Sequence, residues 1–134
     1  VKALVIGMGR IGNGAYEELQ NSFEQNEILS IEHDEKKVLS HKSDNKNVVL
    51  ADANDLDFWN NLNEKTLEVI ILAMPKHHSN IEAAKQIKNL NLDCQIYAVA
   101  RFDEEVEELQ SLGVTAFHIY TEAGVGLARQ TYKT

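Results

Sequence analysis

The sequence predicts one doubly wound α/β domain, in which helices cover both faces of a parallel sheet in three α/β/α layers. Three observations predict this fold. Short apolar segments alternate with segments of helical periodicity along all 134 residues. The apolar segments are near-continuous, as is typical of parallel strands buried on both faces. The first of them runs directly into G-x-G-x-x-G. Right-handed crossovers then give the Rossmann-like strand order 3-2-1-4-5-6.

Six strands are expected from apolar segments bounded by turn residues. The fourth has the most continuous apolar run and ends before Pro75, as expected for a central strand. The predicted strands are residues 2–6, 28–32, 48–50, 67–73, 95–100 and 116–119.

Six helices are expected from apolar residues at spacings of three and four. The first carries Ile11, Ala15, Leu19 and Phe23, and the third is a short helix carrying Phe58, Trp59 and Leu62. The other helices are expected at 35–41, around 81–90, at 104–112 and at 122–132. Polar residues that can accept from free N–H groups are expected to cap four of the helices. They are Asp34, Asp55, either Ser79 or Asn80, and Asp103.

Composition excludes several classes of function. The formal net charge of −8 argues against nucleic acid as a partner, because phosphates would be repelled overall. Cys94 is the single cysteine, so an internal disulfide is impossible, and a half-buried inert thiol is expected there. No run approaches the roughly 18 apolar residues that span a bilayer. Because the chain starts at Val1, directly before the first strand, we expect a domain excised from a larger protein.

The glycine motif predicts a phosphate-binding turn. Gly7 permits the tight turn after the strand, Gly9 lets a pyrophosphate approach the backbone, and Gly12 lets the helix pack close to the sheet. The phosphate would then lie on unpaired N–H groups at a helix N-terminus, where the helix dipole favours an anion. The alternative is a purely structural glycine turn.

An acidic residue supports the nucleotide interpretation. Glu32 ends the second predicted strand, 20 residues after Gly12, where a carboxylate that binds ribose hydroxyls is expected. His33 and Asp34 follow it rather than an arginine, which favours an NAD-type or adenosine ribose over NADP. The alternative is a solvated glutamate at the end of a strand.

Three later segments, together with the glycine motif and Glu32, carry a family resemblance. They are residues 51–55, 73–80 and 99–103, each after a predicted strand. In this order they resemble the TrkA-N or RCK domains, which regulate potassium channels and transporters, over essentially the whole chain. The details are most similar to the Kef-type, glutathione-regulated potassium-efflux branch, notably G-M-G-R-I-G, L-A-M-P and the closing Y-T-E-A-G.

The resemblance implies an adenine nucleotide as the ligand, either NAD(H) or AMP, ADP or ATP, and no metal. Arg10 would reach the phosphates, Asp52 and Ala53 would line the adenine pocket, and Arg101 would approach the phosphates or a partner subunit. Glu32 stands where many family members have Asp, and Ala51 stands where they commonly have Gly. The residues expected at the site are Gly7, Met8, Gly9, Arg10, Ile11, Gly12, Glu32, His33, Asp52, Ala53, Ala73, Met74, Pro75 and Arg101.

The function that the resemblance implies is regulatory. The expected protein is a cytoplasmic domain of an inner-membrane transporter, which binds nucleotide, pairs as a homodimer and gates the membrane-embedded module of the same parent protein. The last helix carries Val125, Leu127, Ala128 and Tyr132 and is expected either to fold back on the sheet edge or to pack on the partner subunit. An NAD-dependent dehydrogenase and a free-standing NAD-responsive redox sensor are the alternatives. A dehydrogenase needs an acid/base residue beside the nicotinamide. His77 and His78 are the only candidates for this acid/base residue. The pair does not predict a metal site either, because adjacent residues of a helix point in different directions and cannot bind one ion together.

Overall fold

The computed structural model describes residues 1–132, so Lys133 and Thr134 of the predicted domain lie outside the described residues. The strands are β1 (Ala3–Ile6), β2 (Ile28–Glu32), β3 (Val48–Leu50), β4 (Val69–Leu72), β5 (Gln95–Ala100) and β6 (Thr115–His118). The helices are α1 (Arg10–Leu19), α2 (Glu35–Ser43), α3 (Leu56–Asn61), α4 (His77–Asn89), α5 (Asp103–Ser111) and α6 (Ile119–Gln130). Single 3-10 turns, Gln25–Glu27 and Glu64–Thr66, precede β2 and β4.

The sheet has the predicted order β3-β2-β1-β4-β5-β6, and every neighbouring pair of strands is parallel. Ala3 on β1 is in register with Ile28 on one side and Val69 on the other. The chain therefore winds outward from β1 in one direction and from β4 in the other. A crevice opens at the carboxyl ends of β1 and β4, which is where sheets of this topology bind ligands.

Two apolar cores, one on each face, hold the helices to the sheet. Because side chains alternate along a strand, Leu4 and Ile6 of β1 face one core and Val5 faces the other. The larger core takes buried residues from α3, α4 and α5, with Trp59 its largest fully buried side chain. The smaller core includes Tyr16 of α1 and Val38 of α2. Helices thus cover both faces, as the apolar strands predict.

Two of the four predicted caps are confirmed. The Asp34 carboxylate accepts from the N–H of Lys36 at 3.0 Å, and the Asp55 carboxylate accepts from the N–H of Asp57 at 2.9 Å. Each satisfies one of the free N–H groups of a first helical turn. These two aspartates therefore fix where α2 and α3 begin.

The cap predicted at Ser79 or Asn80 is wrong, because α4 begins earlier, at His77 after an extended Lys76. The Asn80 side chain is buried and serves the preceding loop instead. Its Oδ1 accepts from the N–H of Met74, and its Nδ2 donates to the Met74 carbonyl, both at 3.1 Å. Asn80 thus fixes the loop that follows β4.

Several further boundaries differ from prediction; β4, for example, covers Val69–Leu72 rather than 67–73, and α2 ends at Ser43 rather than 41. Helix α1 ends at Leu19, so Phe23 lies beyond it, although Phe23 packs against the same core. Helix α5 already includes Asp103, and its N-cap is Phe102, which makes no side-chain cap. Strand β6 starts and ends one residue earlier than predicted. Helix α6 begins at Ile119 rather than 122, because the His118 ring accepts from the N–H of Thr121 at 3.4 Å.

Within residues 1–132, no helix combines the length and the apolar character that a membrane span requires.

Candidate functional site

The turn after β1 depends on glycine at position 7. Gly7 has φ +97°, a conformation that side-chain-bearing residues rarely adopt. A Cβ there would lie 2.9 Å from Met74 Cγ and 3.0 Å from the carbonyl carbon of Ala73. The Gly7 N–H also donates to the Ile31 carbonyl at 3.0 Å. The turn therefore packs closely against the carboxyl ends of β2 and β4.

Gly12 brings α1 against this turn. A Cβ at Gly12 would lie 1.7 Å from the carbonyl oxygen of Gly7 and 3.5 Å from Ala73 Cβ. No side chain can occupy that space unless the helix moves. Gly12 thus lets the first turn of α1 lie directly on the end of β1.

Gly9 has a different environment, because a Cβ built on it meets no described atom within 4 Å. It is the N-cap of α1 and offers no side-chain acceptor to the first turn. The first turn also carries no acidic side chain. No described side chain caps the N–H groups at the start of α1, which leaves them available to an incoming anion.

Glu32 is buried at the end of β2, with 6% of its surface exposed. Its Oε1 accepts from the N–H of Met8 and its Oε2 from the N–H of Asp34, both at 2.9 Å. This excludes the solvated-glutamate alternative. A carboxylate offers about four acceptor positions, so two remain after these bonds. Glu32 therefore holds the glycine turn and keeps acceptor capacity toward the cleft.

A cleft lies where these elements meet, between the carboxyl ends of β1, β2 and β4. Its volume is about 70 Å³, less than the roughly 300–1,000 Å³ typical of sites that bury a small molecule. A nucleotide placed here would therefore lie across an open groove. The lining residues are Ile6, Gly7, Ile31, Glu32, His33, Lys37, Ala51, Asp52, Ala53, Met74 and Pro75.

Seven of the fourteen predicted site residues line this cleft, and they come from four separate loops. Asp52 is exposed, and its carboxylate accepts from the N–H of Asn54 at 2.9 Å, so it shapes its own turn as well. Ala53 is buried and its carbonyl accepts from the indole N–H of Trp59 at 2.8 Å. The residues that line the cleft are Gly7, Glu32, His33, Asp52, Ala53, Met74 and Pro75.

The other seven predicted residues do not line it. Gly9, Arg10, Ile11 and Gly12 form the adjoining start of α1, where Arg10 is exposed. Ala73 is buried against the glycine turn.

The two remaining residues lie elsewhere. The Met8 side chain is buried in the core under α1 and α2, because the turn directs it inward, so only its backbone faces the turn. Arg101 follows β5, outside the cleft lining, and its N–H donates to Glu105 at 2.8 Å.

Lys37 is the cleft residue with functional chemistry that the sequence analysis missed. It lies in the first turn of α2, because Asp34 caps that helix immediately after Glu32. Helical spacing from Asp34 was the available signal. With His33 it places basic groups beside the two acidic ones, Glu32 and Asp52.

The histidine pair contributes nothing to the cleft. His77 Nε2 lies 2.8 Å from Glu108 Oε1, which joins the start of α4 to α5. Neither His77 nor His78 is among the cleft-lining residues. Among the side chains that the structure describes, no group of three or more His, Cys, Asp or Glu is arranged to hold a metal ion.

The fold and the glycine turn define the class, a Rossmann-like domain with a glycine-rich turn after its first strand. A family model for the TrkA-N domain matches residues 3–119, so the chain belongs to the TrkA-N domain family. A comparison with curated protein sequences gave no match.

Several solved structures share the fold. The NAD(P)-binding domain of an exopolyphosphatase-related protein from Archaeoglobus fulgidus is 16% identical, with a TM-score of 0.89 over 99% of this chain and 98% of that one. The TrkA-N domain of the inner membrane protein ybaL from Escherichia coli is 22% identical, with a TM-score of 0.81 over 96% and 95%. GsuK bound to ADP is 22% identical, with a TM-score of 0.77 over 94% of this chain and 32% of that one. At these identities the likenesses establish the fold.

Proposed function

We propose that this domain binds an adenine nucleotide, NAD(H) or AMP, ADP or ATP, and acts as a regulatory module rather than an enzyme. The observation that carries the proposal is the cleft itself. It is lined by Gly7 of the glycine turn and by a buried Glu32 with remaining acceptor capacity, and it adjoins the N–H groups that start α1. These are the groups that a phosphate and a ribose require.

The family supports the choice of ligand and of role. GsuK is a channel, and its structures contain NAD in one case and ADP in another. The ybaL domain belongs to an inner membrane protein. We therefore propose that the parent of this domain is an inner-membrane potassium-efflux or cation-antiport transporter of the Kef type, with the domain on its cytoplasmic side. Nucleotide would favour one arrangement of the domain and so shift the state of the attached module.

A dehydrogenase is the principal competing function. It would need a residue that transfers a proton beside the nicotinamide. Of the two histidines expected for that task, His77 is paired with Glu108, and neither His77 nor His78 lines the cleft. The basic side chains that do line it are His33 and Lys37, next to the acidic Glu32 and Asp52. The TrkA-N family match supports the regulatory function, and a hydride-transfer assay on alcohols and 2-hydroxy acids discriminates between the two.

Isothermal titration calorimetry tests the proposal. The full chain is titrated with AMP, ADP, ATP, NAD, NADH and NADPH. We expect saturable binding of at least one ligand that lacks a 2′-phosphate, and weaker binding of NADPH, because the charge of Glu32 repels a second anion at the ribose. Binding of none of the six, or preference for NADPH, would contradict the proposal. Turnover of NADH with any substrate would favour the dehydrogenase.

A further inference from the structure

We infer that His41 is a positioning residue for the phosphate-binding turn: it holds the Met8 carbonyl and thereby sets the direction of the Gly9 N–H. This inference rests on the proposed nucleotide binding for its functional meaning. Its structural basis is a contact between residues 33 positions apart, on the last turn of α2 and in the glycine turn.

The contact has a defined chemistry. His41 Nε2 lies 2.8 Å from the carbonyl oxygen of Met8. A carbonyl only accepts, so Nε2 must carry the proton and donate. The other side of Met8 is held as well, because its N–H donates to Glu32 Oε1 at 2.9 Å. Met8 is thus fixed at its N–H, at its carbonyl and by its buried side chain.

Peptide geometry extends this hold to the next residue. The Met8 carbonyl and the Gly9 N–H belong to one planar trans peptide unit and point in opposite directions. An anchor on that carbonyl therefore also fixes the direction of the Gly9 N–H. Without an anchor this peptide could rotate, because glycine is conformationally permissive and no described atom lies within 4 Å of a Cβ built on Gly9.

The second ring nitrogen makes no competing contact. His41 Nδ1 is buried, and no hydrogen-bond partner for it occurs in the described part of the chain, as is also the case for His77 Nδ1. With Nε2 as the donor, Nδ1 is the ring nitrogen that is left as an acceptor. The Met8 carbonyl is therefore the group that orients the His41 ring among the described residues.

The test compares two ligands that differ only in their phosphates. Binding of ADP and of adenosine is measured by calorimetry for the wild-type chain and for His41→Leu, His41→Gln and Lys42→Gln. Leucine removes the donor, glutamine restores an N–H at a similar reach, and Lys42 is the exposed neighbour that serves as the matched control.

We expect His41→Leu to raise the Kd for ADP about tenfold, the consequence of one lost hydrogen bond, and to change the Kd for adenosine less than about twofold. His41→Gln should recover most of the ADP affinity, and Lys42→Gln should match the wild type. Equal weakening of ADP and adenosine would indicate a merely structural role and overturn the inference, as would unchanged ADP binding. If His41→Leu does not fold, His41→Gln is compared with the shorter His41→Asn, and only the glutamine variant should bind ADP normally.

A second measurement separates this inference from the proposed function. In ¹H–¹⁵N NMR spectra without ligand, the Gly9 amide should give one sharp resonance in the wild-type chain. It should shift or broaden in His41→Leu and not in Lys42→Gln. An unchanged Gly9 resonance in His41→Leu overturns the inference, whereas failure of the wild-type chain to bind any nucleotide overturns only the proposed function.

Discussion

At the residue scale, the glycines of the turn are required for three different physical reasons. Gly7 adopts a positive φ, Gly12 has the Gly7 carbonyl where its side chain would be, and Gly9 has open space around it. The first two are therefore requirements of folding. The fold itself leaves room for a side chain at Gly9, so a requirement for glycine there would come from a ligand.

Substitution of these glycines should separate stability from binding. We expect Gly9→Val to melt near the wild-type temperature and to lose ADP binding, because a branched side chain fills the space for the pyrophosphate. Gly12→Ala should lower the free energy of unfolding by about 1–3 kcal/mol or more, through overpacking. Gly14→Ala, in an open and exposed part of α1, is the control and should stabilise by about 0.5–1 kcal/mol. Normal ADP binding by Gly9→Val would place the ligand elsewhere.

Glu32 should matter even without ligand. Glu32→Ala leaves the N–H groups of Met8 and Asp34 without their acceptor, and that of Met8 is buried. We expect a loss of about 1–3 kcal/mol in the free energy of unfolding, measured by urea denaturation, and a weakening of nucleotide binding of the same order. Unchanged stability would show that these two bonds contribute nothing to the fold.

The single cysteine should be a slow thiol. Burial raises the pKa of Cys94, with a further rise from the nearby charge of Asp93. Because the thiolate is the nucleophile, we expect Cys94 to react at neutral pH more slowly than a free thiol and at the free-thiol rate in denaturant. Stopped-flow measurement with an aromatic disulfide reagent checks this. A fast reaction of the native chain would favour the redox-sensor alternative.

At the scale of elements, α6 is the helix that the domain does not cover. None of its residues is buried, and Leu127 is 71% exposed. Val125 and Leu127 supply apolar surface on this helix. We propose that α6 packs on a second copy of the chain, which would bring two nucleotide sites into one symmetric assembly.

Light scattering tests the pairing. The wild-type chain should give twice the monomer mass of 15.1 kDa at micromolar concentration. Leu127→Glu should shift it toward monomer, because a charge would be buried in an apolar interface, whereas Gln130→Glu on the same helix should not. Removal of α6 from Ile119 onward should also give a monomer with nearly unchanged melting. A monomeric wild type at every concentration, with and without nucleotide, would contradict the proposal.

The sequence could predict those elements whose signals are local. Apolar strands and the aspartate caps at 34 and 55 are local, and both were confirmed. Asn80 was misassigned because its amide can cap a helix or bridge a loop equally well, and only the fold shows that it bridges Met74. The start of α6 was missed because histidine is an uncommon cap.

The same distinction applies to the candidate site. The glycine turn and Glu32 follow from spacing, so the sequence analysis found them. Other features of the site depend on how segments distant in the sequence meet in the fold. These are the hydrogen bond that Glu32 accepts from Met8 and the position of Arg101 outside the cleft lining. Lys37, by contrast, was missed although its helix was predicted and its spacing from Asp34 offered a local signal.

At the scale of the whole molecule, the topology explains why these residues meet. Winding reverses between β1 and β4, so the turn after β1 and the loop after β4 diverge to opposite faces and leave a crevice between them. A nucleotide in that crevice would contact both loops. Nucleotide binding would therefore favour one arrangement of these two loops, and with it one arrangement of any partner attached to the domain.

The most direct test of the central claim is an ADP titration of the ¹⁵N-labelled chain followed by NMR. We predict saturable shifts at the amides of Gly9, Arg10 and Ile11 and at Asp52 and Ala53, on opposite sides of the cleft, with little change along the β-sheet edge at residues 115–118. Saturable shifts confined to any other surface, or none at millimolar ADP, would contradict the claim that this cleft is an adenine-nucleotide site.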